Sequence, residues 1–234
     1  MAATRKPTPT SARFTGFPRE GLAWFDGLAL TQNKEWFQAN KQAYEVLWLQ
    51  PMTALLAELQ APLRKLYGRP VGPPKLFRLH RDVRFSKDKR PYKTHIAGVL
   101  PFDGGPPMER PAALYLHLGA EEYYAFGFYV LEPTALRRFR AGVLDEKHGA
   151  ALQKLVDAAA KAGLEVDAME TLKRPPPGVD KAHPRVELLK RKGLALGSSS
   201  IPTTVRFGPE LKDWLLAQAR VAAPLVKWGF AHGL

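Results

Sequence analysis

Cysteine is absent from the 234 residues. That removes disulfides, zinc–thiolate sites, iron–sulfur clusters and thiol nucleophiles together. It suits a reducing cytoplasm, the expected location. Long apolar runs are also missing: none approaches the ~20 residues a membrane span needs, so no membrane partner is expected. The opening stretch, M-A-A-T-R-K-P-T-P-T-S-A-R, lacks the apolar segment of a secretory signal. Its Pro, Thr and basic content predicts a disordered basic tail over 1–13, ahead of a single domain over 14–234. There is no G-x-x-x-x-G-K-S/T, no G-x-G-x-x-G after a strand and no G-x-S-x-G. Standard nucleotide-hydrolase, dinucleotide and serine-hydrolase sites are thereby excluded. H-E-x-x-H is missing too, and the six histidines are scattered. Neither a metal ligand set nor a cofactor is predicted.

Acidic residues are the remaining shortage. Asp and Glu number 22 against 35 Lys and Arg, a formal charge of +13, with an isoelectric point near 10.0. This balance favours phosphorylated or polyanionic partners and speeds their encounter. It is equally what a soluble surface of spread Lys and Arg produces.

What is present divides into a helical part and a strand-rich part. Leu22, Phe25, Leu28 and Ala29 recur at helical spacing after Pro18. Asn33 is a candidate N-cap for a second helix carrying Trp36, Phe37, Tyr44, Leu47 and Trp48. Pro51 must kink or restart it, and Leu55, Leu56, Leu59, Leu63 and Leu66 continue an apolar face to Gly68. These aromatics sit at core spacing and read as core, not as a ligand platform. After Gly72-Pro73-Pro74 the period becomes two. Phe77, Leu79, Val83 and Phe85 share one side, and Arg78, His80, Asp82 and Arg84 the other. A second strand is predicted over 94–100, then a hairpin of 112–118 and 122–130 after the Gly104-Gly105-Pro106-Pro107 loop. In it Leu114, Leu116 and Leu118 oppose Tyr115 and His117, and Gly127 marks a bulge or a close backbone approach. Helices are predicted from Pro133, from Gly149, over 185–190 and from Pro209, with a bend at Pro224 and one more strand within 193–200. The fold class is α+β: a single domain with a central, mainly antiparallel sheet and packed helices.

The densest chemistry lies in R-D-V-R-F-S-K-D-K-R-P-Y-K, from Arg81 to Lys93. Six cations (Arg81, Arg84, Lys87, Lys89, Arg90, Lys93) meet two anions (Asp82, Asp88). Arginine offers forked donors for phosphate or carboxylate, and lysine a compact charge. Two acids neutralise only part of this set, so the segment reads as an oxyanion site. The plainer alternative is an ion-pair network that braces the strand and its loop.

These residues also carry a resemblance. The segment resembles R-D-x-R-F-S-K-D-K-x-P-Y-K, the hallmark of a family of conserved hypothetical proteins of bacteria and fungi, grouped as a domain of unknown function. Asn33-Lys34-Glu35-Trp36-Phe37, with Tyr44 and Pro51, resembles the family's N-terminal signature. Leu172-Lys173-Arg174, then Gly178, Asp180, His183-Pro184 and Leu188-Leu189-Lys190, resembles its C-terminal one. The chain departs by having Pro175-Pro176-Pro177 where the family tends to have one proline. The resemblance implies no established reaction. It implies that Lys173, Arg174 and His183 lie beside the central segment.

The function expected is binding of a phosphorylated or other anionic small molecule by Arg81, Asp82, Arg84, Lys87, Lys89, Lys93, Lys173, Arg174 and His183. Arg84 and Lys93 are expected to meet across the turn. One alternative is an enzyme on such a ligand, with Asp82 or His183 as acid–base group; no catalytic residue is assigned. Another is nucleic-acid binding, with Tyr115, Tyr123 and Tyr129 stacking bases beside basic residues. His80 and His117, with Asp82 and Tyr115 near, form a candidate acid–base pair on one sheet side. Two hydrogen-bonded, partly buried histidines explain them more simply.

Overall fold

The computed structural model describes residues 13–84, 87–102, 112–166 and 170–234. Outside it lie the tail expected over 1–13 (Arg13 apart), the Gly104–Pro107 loop, and Phe85 with Ser86.

Helix α1 (Gly21–Thr31) is followed by α2 (Lys34–Ala39). The expected cap is present: the Asn33 side chain accepts a 2.8 Å hydrogen bond from the Trp36 amide. After α3 (Lys41–Tyr44) the helix widens into a π turn over Glu45–Leu49, and α4 (Gln50–Tyr67) starts with Pro51 in its first turn. Pro51 has no N–H to close the preceding turn, so the chain restarts the helix there. The aromatics are core, as their spacing predicts. Trp24 packs on Tyr44 with ring centres 5.1 Å apart, and Phe25 on Trp48 at 4.8 Å.

The strands are β1 (Lys75–Leu76), β2 (His95–Pro101), β3 (Ala112–Gly119), β4 (Tyr123–Phe128), β5 (Glu165–Val166) and β6 (Leu194–Ser198). They form one antiparallel sheet in the order β1-β2-β3-β4-β6-β5. Alternation divides it into two faces. Ile96, Leu100, Leu114, Leu116, Tyr124, Phe126, Phe128, Leu194 and Leu196 are buried on one. Helix α4 covers that face at Gly98, where a Cβ would meet Leu56 at 2.6 Å. Helix α8 (Leu211–Ala231) covers it at Phe128, whose ring lies against Gly229. The opposite face carries His95, Ala97, Val99, Tyr115, His117, Tyr123, Ala125, Ala195 and Gly197. Gly127 is the close approach expected: with φ at 137°, a Cβ would lie 2.4 Å from the Leu194 carbonyl oxygen.

The strand expected from Lys75 to Phe85 is cut short. Only Lys75 and Leu76 pair with β2 as a strand, and the Phe77 amide adds one 2.8 Å hydrogen bond to the Ala97 carbonyl. Beyond them the chain leaves the sheet edge and pairs with its own return segment in a narrow arm. His80 bridges Tyr92, the Arg81 amide donates to the Pro91 carbonyl at 2.8 Å, and the Lys93 amide to the Leu79 carbonyl at 2.9 Å. Gln32 clamps this arm to α1. Its side chain accepts from the Tyr92 amide at 3.0 Å and donates to the Tyr92 carbonyl at 3.4 Å. Gln32 holds φ at 41°, a left-handed backbone that a non-glycine residue adopts at some cost.

The remaining helices are α5 (Pro133–Leu144), α6 (Glu146–Lys161) and the short α7 (Val186–Leu189). One continuous apolar core reaches from Phe14 to Trp228. The fold is α+β, a helical layer on an antiparallel sheet, as expected.

Candidate functional site

The arm returns into β2 through Lys93, and His95 is the first residue of that strand. Alternation puts Lys93, His95, Tyr115, His117 and Tyr123 on the sheet face opposite α4 and α8. Register then assembles them at one corner. His95 lies opposite Gly119, so His117 is its diagonal neighbour on β3. The two imidazoles stack with centres 4.4 Å apart and planes 21° from parallel. Gly119 permits this closeness, since a Cβ there would fall 2.6 Å from the His95 Cα. The Tyr115 hydroxyl and His117 Nδ1 share a 3.1 Å hydrogen bond. Tyr123 lies 5.8 Å from His117, with its hydroxyl over Gly197.

A cleft of about 520 Å³ opens beside these rings. It is lined by His117, Ala120, Glu121, Glu122, Tyr123, Ser199 and Arg206. Glu122 and Arg206 close one wall as an ion pair, Nη2 to Oε1 at 2.6 Å. Glu121, on the turn between β3 and β4, brings a carboxylate toward both histidines. One donor atom from each of His95, His117 and Glu121 lies within 4.8 Å of the others.

Burial pushes His95 down to about 4, with Lys93 and Arg81 adding to the shift. Burial likewise pushes His117 down to about 4; His95 and Lys93 add to it, and Glu121 opposes it. Both imidazoles are therefore neutral near pH 7. In the unfolded chain they bind protons from pH 6.5 downward, while the folded chain resists until about pH 4. Between those limits the unfolded state holds more protons, so stability falls as pH falls. Melting temperatures taken from pH 7 to pH 4 should decline across this window. The decline should be shallower in a His95→Asn/His117→Asn double variant. Identical slopes in the two proteins would refute this assignment.

The basic segment is partly an ion-pair network. Arg84 forks onto Asp82, with Nε to Oδ1 at 3.0 Å and Nη2 to Oδ2 at 2.7 Å, in an exposed pair. Asp88 takes both Arg81 and Arg90, the latter at 2.8 Å. The Arg90 hydrogen bonds, then that from Arg81, hold Asp88 well below the usual carboxylate range. Lys89 donates to the Val83 carbonyl at 3.0 Å, and Lys87 is exposed.

Lys93 differs from all of these. It is half-buried, with Nζ 5.6 Å from the centre of the Phe77 ring. Among the described residues no carboxylate lies within ion-pairing distance of it. Its pKa is lowered by burial first, then by the charges of Arg78 and Arg81. Arg84 is not its neighbour as expected. The His80–Tyr92 bridge sets Lys93 across from Leu79, while Arg84 lies further along the arm.

The C-terminal basic cluster enters the fold elsewhere. Segment 170–192 leads into Leu194, which pairs with Phe128 at the end of the sheet opposite His95. Strands β3 and β4 also stand between β2 and β6. The His183 Nδ1 accepts the Arg185 amide at 3.1 Å, ahead of α7. Lys173 and Arg174 are exposed. Thr171 bridges Arg191 and the Leu172 amide bonds to the Lys190 carbonyl, so Lys173 and Arg174 follow a segment tied to the approach to β6, whereas Lys93 leads into β2.

His80 packs on Phe37 and Tyr92 at 5.6 and 4.7 Å, and the imidazole stacked on His117 is His95. Neither His95 nor Glu121 stands out in the sequence, because the signal that unites them is the register of β2 on β3. Tyr129 is 59% exposed.

Fold and corner together define an α+β protein with one helix-covered sheet face and a second face that carries a histidine-bearing cleft, with Lys93 close to its histidines. The chain belongs to a family described as conserved hypothetical protein (DUF2461), whose model matches residues 20–228. No curated protein matches it. Among the described residues no helix is long and apolar enough to cross a membrane.

Proposed function

We propose that the protein binds a small anionic ligand, of the phosphate-bearing class, at the corner where the arm enters β2. The observation that carries this reading is Lys93: a half-buried ammonium pressed by Arg78 and Arg81, with no carboxylate of the described residues beside it. A desolvated, uncompensated cation is costly, and a bound anion removes that cost. Arg81 stands next to it, anchored by Asp88. The neutral His95 and His117 offer ring N–H donors, and the adjoining cleft has room for the rest of a small molecule.

The test is a thermal melt with inorganic phosphate, sulfate or chloride at matched ionic strength. A ligand that binds only the native state at hundredfold excess over its Kd adds about 2.7 kcal/mol. For a chain of this size that raises the melting temperature by on the order of 5–10 °C. Phosphate or sulfate should raise it well above the chloride control. Equal melts in all three salts would defeat the proposal. A rise seen only with single-stranded oligonucleotide, and lost steeply with added salt, would favour nucleic acid instead.

A further inference from the structure

We infer that His95, His117 and Glu121 form a binding site for a divalent first-row transition ion, with Zn2+ as the representative species. The inference stands on geometry and does not require the anion reading. Two imidazoles and one carboxylate converge from β2, β3 and the β3–β4 turn, their donor atoms within 4.8 Å of one another. Four-coordinate zinc binds N and O donors at about 2.0–2.1 Å, which sets neighbouring donors roughly 3.4 Å apart. Closing the remaining gap takes at most about 1.4 Å of donor movement, and one of the two stacked imidazoles, whose planes are 21° from parallel, must also turn about its χ2 so that both in-plane lone pairs meet the ion. Glu121 is exposed on a turn and has the torsions to supply the donor movement.

A second, separate observation points the same way. A ligating histidine usually has its other ring nitrogen held by a hydrogen bond, which fixes the tautomer and the ring. His117 has this support: Nδ1 is bonded to the Tyr115 hydroxyl. With the proton on Nδ1, the Nε2 lone pair is free for a ligand. Three protein donors leave a coordination position for water or an anion, and the 520 Å³ cleft adjoins His117 and Glu121. The donor set matches ions of the zinc, cobalt and iron class better than calcium or magnesium, which prefer all-oxygen shells. The scatter of histidines along the sequence hides the set: 22 residues separate His95 from His117, yet register makes them diagonal neighbours.

Lys93 and Arg81 are the opposing influence, since their charges reach His95. Removing the ammonium should therefore tighten the metal while weakening the anion, which makes the two readings separable.

The experiment uses the full chain, stripped with chelator and titrated at pH 7.5. Zn2+ is measured by competition with a chromogenic chelator, and Co2+ by its visible absorption. One equivalent should bind, with Co2+ bands of a four- or five-coordinate site. His95→Ala and His117→Ala should each abolish this equivalent. Glu121→Gln should weaken it at least tenfold. Tyr115→Phe, which loses only the outer hydrogen bond, should weaken it about 10–100-fold. Lys93→Met should retain it. Circular dichroism melts check that each variant is folded; if an alanine variant is not, Glu121→Gln and Tyr115→Phe, both surface-reaching, decide. Absence of a saturable equivalent, or one unaltered by all four donor and Tyr115 changes, overturns the site. Metal binding that survives while phosphate fails to stabilise would remove the anion reading alone.

Discussion

Lys93→Met should erase phosphate-dependent stabilisation while leaving the unliganded protein as stable as the parent, or more so. Methionine keeps most of the length and the contact with Phe77 but removes the charge. In the parent, folding buries part of an ammonium beside Arg78 and Arg81, and its lowered pKa expresses that penalty. The variant avoids the penalty. It also loses the compact cation that an oxyanion would meet. Parent and variant should thus differ by about 2.7 kcal/mol in the response to hundredfold ligand excess, and little without ligand. Arg84→Ala is the control, because its guanidinium sits on the exposed Asp82. If Lys93→Met unfolds the unliganded chain, Lys93 is a brace and not a binding group. If it melts normally and still responds to phosphate, the ligand binds elsewhere.

Trp48→Ala should cost the fold about 3–5 kcal/mol, the usual range for deleting a buried aromatic. Trp48 is fully buried, its ring 4.8 Å from Phe25 and 5.5 Å from Phe17. Its Nε1 donates to the Gly21 carbonyl at 2.9 Å, so the same side chain pins α1 to the π turn before α4. Truncation leaves a cavity and removes the hydrogen bond that ties the π turn to α1. Urea denaturation read by fluorescence or circular dichroism gives the loss directly, and the melting temperature should drop by on the order of 10 °C. Trp48→Phe should fall between, since it refills most of the volume but not the hydrogen bond. A loss under about 1 kcal/mol for Trp48→Ala would contradict the reading of this aromatic cluster as core.

Much of the fold was legible in the sequence because the alternation of buried side chains is written locally. Leu114, Leu116 and Leu118 against Tyr115 and His117 announce both faces of β3, and Asn33 announces the start of α2. The short β1 was not legible. Phe77, Leu79, Val83 and Phe85 alternate in the sequence as well as any sheet strand does, and nothing in that pattern says that the chain leaves β2 after Phe77 or that Leu79 to Arg81 pair with the arm's own return segment. The site was legible in part. Density of charge pointed to Arg81–Lys93, yet Asp82 and Asp88 absorb Arg84, Arg81 and Arg90, which leaves the half-buried Lys93 as the group of interest. His95 was hidden because two strands acquire a common corner only through their register. For Lys173, Arg174 and His183, sheet topology decides, and topology follows from which strands pair over long separations in the chain.

The corner's make-up has a kinetic meaning. Lys93, His95, Tyr115, His117, Glu121 and Tyr123 belong to one uninterrupted meander, β2 to β4, with each strand paired to the next. Closing short loops costs little chain entropy, and nearest-neighbour pairings form faster than distant ones. The cleft's key groups can therefore find one another before β6 docks or α8 covers the far face. The Ser199 and Arg206 walls must wait, Arg206 for chain 84 residues beyond its partner Glu122. Synthesised from its N-terminus, the protein would carry a nearly complete corner while much of its core was still unmade.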